Sequence, residues 1–378
     1  MDNPNYQLIT NPEQWTKCLD LLRAEPKLAV DLEANSMFAY RERVCLIQVS
    51  TPQQDFIVDP LAPLNLDELG EIFADPSIEK IFHAAEYDLI LMKRQYDWEV
   101  NNLFDTMWAA RILGYKRYGL ASLLKDIFDV RLNKRYQKSN WCRRPLSSEQ
   151  LAYACYDTHF LFDLRNRLAA ELAAERHLEE ADEIFNEHSR VKINDNGFDP
   201  ESFWSINGAH ELSRQEQAVL KAINIFRDQE ARERNQPLFK IFSDRTLFEI
   251  AQSCPVTTDQ LASVHGMSRG QIRRYGHKIL EVVKRARHDT PPKAPKRPKR
   301  APDVVLLRYE RLHTWRKQRA RERGVESDVI ISRDALWDMA HANPRSCEEL
   351  VQLDTVGEWR SKTYGPEILQ VLEECSPS

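Results

Sequence analysis

The chain has 378 residues, with 53 Lys and Arg against 58 Asp and Glu, a net charge of −5, 42% apolar and 29% charged residues. That balance excludes disorder throughout and supplies apolar side chains for two or three domains, each with its own core. No apolar run reaches the ~18 residues of a membrane span, and the start MDNPNYQLIT lacks the basic and apolar regions of a secretory signal, so a cytoplasmic chain is expected.

Short β-branched runs come first. KLAVDLEA, RVCLIQVST and QDFIVDP lie close together, as antiparallel neighbours do, and predict the start of a mixed sheet. LDELGEIFAD is helical, EKIFHA at 79–84 is a strand, and EYDLILMKRQY, DTMWAARILG and LASLLKDIF are helical. From Ser147 the run SSEQLAYACYDTHFLFDLRNRLAAELAAERH predicts one long helix opened by a Ser cap. The order β-β-β-α-β-α followed by helices predicts an α/β sheet flanked by helices. Turn formers in NDNGFDPES, residues 194–202, mark a boundary. In KRARHDTPPKAPKRPKR, residues 284–300, eight Lys/Arg, four Pro and a single acid predict a solvated tether from about His288 to Pro302.

The segments on either side of that tether repeat each other at an offset of 89 residues. RDQEARER at Arg227–Arg234 aligns with RKQRARER at Arg316–Arg323, and Leu247, Ala251, Pro255, Leu261, Tyr275 and Gly276 align with Leu336, Ala340, Pro344, Leu350, Tyr364 and Gly365. Two copies of one small helical domain are expected, as two beads on a string. Charge divides the same way: residues 1–200 carry −10, 201–300 carry +8 and 301–378 carry −3. The seven cysteines are odd in number and scattered, with no C-x-x-C pair and no zinc spacing, so reduced thiols are expected.

Three groups of residues carry chemistry. Asp31 and Glu33 end an apolar strand, and their i, i+2 spacing sends both carboxylates to one face. Asp88 lies in the first turn of the helix that follows IFHA, where an acid also serves as a plain dipole partner. Tyr153 and Asp157 are four apart on a helix and share a face, which an ordinary amphipathic helix would also give. His83 reads as a hydrogen-bonded structural histidine, and His159 falls on a different helix face from Asp157.

In this order, VDLEA, HAAEYDL and YACYD resemble the three motifs of the DEDD superfamily of 3′-to-5′ exonucleases, in its tyrosine-bearing branch, and within it the ribonuclease D family. The repeated C-terminal segments are similar to the helicase-and-RNase-D C-terminal (HRDC) domain. The resemblance implies a ribonuclease H-like exonuclease domain over 1–198, HRDC domains over 208–288 and 303–378, and a basic Pro-rich linker at 289–302. It implies that Asp31, Glu33, Asp88 and Asp157 hold two divalent cations, with Tyr153 orienting the attacking water. Oxygen-only ligands select hard ions, so Mg²⁺ or Mn²⁺ is expected rather than zinc. The implied partner is RNA with a free 3′ end, tRNA precursors among them, without a membrane or a nucleotide cofactor, and the protein is expected to be a monomer. A proofreading-type DNA exonuclease and a non-catalytic RNA-binding protein are the competing readings. Ser36 and Met37 stand where many relatives carry an aromatic, so Phe38 or Tyr40 is expected to stack on the terminal base.

Two basic stretches are expected to hold RNA. RLNKRYQKSNWCRR, residues 131–144, has six basic side chains and no acid, interleaved with aromatics. Its expected contacts are Arg135, Tyr136, Lys138, Ser139 and Trp141. In the first repeat, Arg269, Arg273, Arg274 and Lys278 form a patch where the second has Glu358, Lys362, Thr363 and Glu367, so only the first copy is expected to bind phosphates.

Overall fold

The structure is a computed structural model that describes residues 4–193, 197–295 and 300–375. Positions 194–196 of the expected boundary and 296–299 of the expected linker lie outside the described residues. The nuclease part opens with β1 (Tyr6–Ile9), α1 (Pro12–Ala24), β2 (Lys27–Ala34), β3 (Val44–Ser50), β4 (Asp55–Val58), α2 (Asp67–Ala74), β5 (Glu79–Phe82), α3 (Glu86–Tyr96), β6 (Leu103–Asp105), α4 (Thr106–Ile112) and α5 (Leu120–Phe128). Three more helices follow: α6 (Ser148–His159), α7 (Leu161–Ala174) and α8 (Leu178–Ser189).

The strands form one sheet in the order β1-β4-β3-β2-β5-β6. β3 and β4 pair antiparallel, whereas β1 with β4, β2 with β5 and β5 with β6 pair parallel. The expected mixed sheet with flanking helices is therefore present, and every residue of β3 is buried. In β2, Leu28, Ala29, Val30 and Leu32 are buried while Asp31 and Glu33 are only half-buried. The alternation at the end of the strand is what turns both acids to one side.

Two differences from the sequence pattern concern this domain. β1 and β6, the outermost strands, have four and three residues. Runs that short carry no alternation to detect. The expected long helix from Ser147 is two helices, broken at Phe160. Its start is as expected and firmer: Ser147 and Gln150 form a capping box, the Ser147 hydroxyl accepting from Gln150 N and the Gln150 side chain accepting from Ser147 N.

Each repeat folds as five helices: α9 (Arg214–Glu233), α10 (Leu238–Ile241), α11 (Asp244–Ser253), α12 (Thr258–Ala262) and α13 (Arg269–Ala286), then α14 (Asp303–Arg323), α15 (Ser327–Ile330), α16 (Arg333–Ala342), α17 (Cys347–Val351) and α18 (Glu358–Glu373). The offset of 89 holds down to single interactions. Ser243 and Ser332 cap α11 and α16, Cys254 and Asn343 end them in the left-handed region, and Arg227 and Arg316 donate to the carbonyls of Phe242 and Ile331.

The two repeats do not behave as equivalent beads. The first forms a compact unit with residues 34–43, the last residue of β2 and the loop after it. The Tyr40 hydroxyl donates to Asp228, the Tyr40 backbone N donates to Asn235 at 3.2 Å, and the Lys240 ammonium lies 4.3 Å from the centre of the Phe38 ring. The second forms a compact unit with the rest of the nuclease part. There Arg323 pairs with Glu180, Arg360 with Glu183 and Glu187, and Arg111 with Glu326 and Asp328. Glu183 accepts from Trp359 N at 2.6 Å and from Arg360 N at 3.3 Å, so it occupies the start of α18. A Cβ at Gly357 would meet that carboxyl, so any other residue there would push the Glu183 side chain aside. No helix among the described residues is long and apolar enough to cross a membrane.

Candidate active site

Asp31, Glu33 and Asp157 each turn a carboxylate oxygen toward a common point, all within 4.8 Å of one another. β2 supplies the first two and α6 the third. Asp88, 7% exposed in the first turn of α3, lies near enough for the charges of Asp31 and Asp157 to act on it. Among the described residues no basic side chain offsets these charges, and the result is visible in their acidities. Burial pushes Asp31 up to about 7 and, with the charges of Asp31, Asp157 and Asp88, pushes Glu33 up to about 10. Asp88 is raised by burial and then by Asp31, Asp105 and Asp157, and Asp157 by burial and Asp31. Four acids that resist ionising together form a candidate site for divalent cations, and the all-oxygen donor set fits hard ones.

The turn before Asp88 is set by a residue the sequence pattern did not single out. Ala84 adopts φ +63°, and the Asp105 carboxylate accepts from Ala84 N at 3.1 Å and Ala85 N at 2.8 Å. The same buried carboxylate caps α4 through Met107 N at 2.8 Å and Trp108 N at 3.2 Å. Asp105 thus ties the entry of α3 to the entry of α4, and its only sequence signal was an Asp before an apolar helix. His83 is structural, as expected: Thr106 donates its hydroxyl proton to the Phe82 carbonyl, so it accepts from His83 Nδ1 at 2.9 Å. Burial lowers the His83 imidazole to about 4.

Tyr153 is half-buried, one turn before Asp157 on the same face of α6. Burial, then Asp157, Glu33 and Asp31, raises its phenol above the ordinary value, so it keeps its proton. Its ring is held by Trp141, with centroids 5.8 Å apart, and by Tyr136, edge-on at 6.4 Å. Here one expectation needs correction. Trp141 is 1% exposed and packs with Cys45, Leu46, Ile57 and Cys155, so it supports Tyr153 from the core rather than offering a face to a base. A second correction concerns the thiols: Cys45 and Cys142 form a disulfide, which joins β3 to the loop carrying Trp141. Among the other expected contacts of that loop, Arg135 and Lys138 are exposed and Ser139 and Tyr136 are half-buried.

Phe38 and Tyr40, expected near the terminal base, are both engaged by the first repeat through Lys240 and Asp228. In that repeat Arg269, Arg273 and Arg274 are exposed on the first two turns of α13, while Lys278 pairs with Glu230. In the second repeat, the matching start of α18 is where Glu183 binds. The charge asymmetry between the copies therefore has a structural side: one helix start is open and basic, the other is covered.

Tyr153→Phe removes one hydroxyl and no carboxylate, so a fall of roughly 10²-fold in rate is expected, as when other positioning groups are removed. Trp141→Ala is expected to lower kcat with little change in KM, because it loosens the ring behind the hydroxyl. Single-turnover rates and RNA affinities of both variants check this.

Two acids at the end of the inner strand β2, with Asp88 and Asp157 on helices and a tyrosine one turn before the last of them, lie within residues 6–173, which match the family model described as 3′-5′ exonuclease. Residues 216–283 and 306–372 match the HRDC domain. The chain is 32% identical to ribonuclease D of Gluconacetobacter diazotrophicus over 75% of this chain and 72% of that one. It is similar to the crystal structure of the catalytic core of RRP6 from Trypanosoma brucei, at 28% identity and TM-score 0.66 over 76% of this chain and 82% of that chain. It shares its fold with the crystal structure of Escherichia coli RNase D, at 24% identity and TM-score 0.68 over 98% of this chain and 99% of that chain. The chain belongs to the ribonuclease D family, and it is a hydrolase of the 3′-to-5′ exoribonuclease class.

Proposed function

We propose that the protein removes nucleotides one at a time from the 3′ end of RNA by a two-metal-ion mechanism, releasing nucleoside 5′-monophosphates. The convergence of Asp31, Glu33 and Asp157 within 4.8 Å, with Asp88 beside them, carries this reading. These four residues would hold two Mg²⁺ or Mn²⁺ ions. When bound, the ions neutralise the acids, act as Lewis acids on the scissile phosphate and stabilise charge on the attacking and leaving oxygens. Tyr153, held as a neutral phenol, orients the attacking water by hydrogen bonding and does not take its proton. Attack at phosphorus expels the 3′-oxygen of the preceding nucleotide, so the phosphate leaves on the 5′ side of the released one.

Structured RNAs such as tRNA precursors are the proposed substrates, met in the cytoplasm by a monomer. The exposed Arg135 and Lys138 near the active site, and Arg269, Arg273 and Arg274 on α13, supply phosphate contacts. Matched 5′-labelled RNA and DNA strands, digested with Mg²⁺ or Mn²⁺ and read as length ladders, test the reaction. Stepwise shortening of RNA with release of 5′-monophosphates is expected. Internal cuts, 3′-phosphate products or a preference for DNA would overturn it.

Changing Arg269, Arg273 and Arg274 together to Ala is expected to flatten the slope of log affinity against log salt by about 0.7 for each phosphate that is no longer neutralised. Lys278→Ala alone is expected to do less, because its charge is already paired with Glu230. Affinity titrations on a structured RNA at several salt concentrations give the answer.

A further inference from the structure

Helix α6 has a second chemical face. Tyr153 and Asp157 lie on one side; Cys155 and His159, also four residues apart, lie on the other. Both reach the same carboxylate. His159 Nδ1 is 2.6 Å and Cys155 Sγ 3.4 Å from Oδ2 of Asp55, the first residue of β4, and the three ligand atoms all lie within 4.8 Å of one another. The Asp55 side chain is 8% exposed, yet among the described residues no Lys or Arg pairs with it. Buried charges are ordinarily paired; among the described residues this carboxylate meets a thiol and an imidazole that is charged only when protonated. Cys155 is a buried free thiol, and His159, 43% exposed, leaves the cluster open to solvent.

We propose that Asp55, Cys155 and His159 form a binding site for a borderline-soft divalent cation, Zn²⁺ by class, separate from the all-oxygen site on the opposite face of the helix. One sulfur, one nitrogen and one oxygen are the donors such an ion selects, and three protein ligands leave its fourth tetrahedral position to solvent. Binding displaces the thiol proton and replaces the two hydrogen bonds to Asp55 by coordination bonds. The ion would tie β4 to the face of α6 opposite Tyr153 and Asp157.

The test uses the full chain, stripped of metal and titrated with Co²⁺ as a spectroscopic probe. One equivalent is expected to produce a thiolate-to-cobalt charge-transfer band in the near ultraviolet, bleached by Zn²⁺ and unaffected by excess Mg²⁺. Cys155→Ser should abolish the band, whereas Cys18→Ser, Cys254→Ser and Asp157→Asn should retain it. His159→Gln, an exposed change compatible with folding even if Cys155→Ser is not, should weaken Co²⁺ binding about tenfold or more. Absence of the band at stoichiometric cobalt, its survival in Cys155→Ser, or unchanged affinity in His159→Gln would overturn the site.

Discussion

Asp157→Asn is expected to reduce RNA hydrolysis to about one per cent of the parent rate or less, by removing a carboxylate that the proposed cations need in the transition state. Asp88→Asn is expected to do the same. Neither should cost folding stability in metal-free buffer, because each removes a charge from a group whose members repel one another. The pH dependence separates this from simple structural damage. Asp31 and Glu33 hold their protons more tightly in the folded chain than in the unfolded one. The metal-free protein therefore loses stability as pH rises from about 4, where unfolded carboxyls ionise, through about 7, where Asp31 does. On the proposed function Mg²⁺ or Mn²⁺ would take the place of those protons, so its stabilising effect should grow over the same range. Thermal unfolding in EDTA and in Mn²⁺ from pH 5 to 8, paired with rates of hydrolysis, measures both. A variant that keeps tens of per cent of the rate would remove Asp157 from the set of ligands.

What the sequence could and could not convey follows from how far apart the interacting residues lie. Asp31 with Glu33, and Tyr153 with Asp157, are pairs within one element, where a period of two or of 3.6 fixes the shared face. The three motifs in series point to one site, and the structure brings Asp31, Glu33 and Asp157 together. Asp105 escapes a sequence reading because its partners, Ala84 and Ala85, lie some twenty residues upstream and are held through their backbone, which has no side-chain pattern. Trp141 is misplaced for a related reason. A basic and aromatic run looks the same whether its rings face solvent or the core, and only packing against Cys45 and Tyr153 decides. The pairing of Cys45 with Cys142 spans 97 residues and has no local signature. The repeat is plain, but the use of each copy is not: Arg234 and Arg323 are equivalent in the alignment, yet Arg234 pairs with Glu230 of its own helix and Arg323 with Glu180 of the nuclease part.

That last pair carries the second large effect. Glu180 is fully buried, and its carboxylate is met by Arg323 on both oxygens and by His177 at 2.9 Å. Arg323→Ala would leave a buried charge with only a histidine to answer it, and a loss of about 3–5 kcal/mol is expected, the range for breaking one side of a buried ion pair. Chemical denaturation of the full chain measures it. Glu180→Gln combined with Arg323→Ala should recover part of the loss, since the uncompensated charge is then gone. The same reasoning applies to the second repeat as a whole. A chain ending before Asp303 would uncover Glu180, Glu183 and Glu187 together, so the nuclease part without it is expected to unfold at lower denaturant even though every candidate catalytic residue is retained. If that truncated chain instead matches the full protein in stability and in its rate on short unstructured RNA, the second repeat is an independent module after all and its pairing with α8 is energetically neutral.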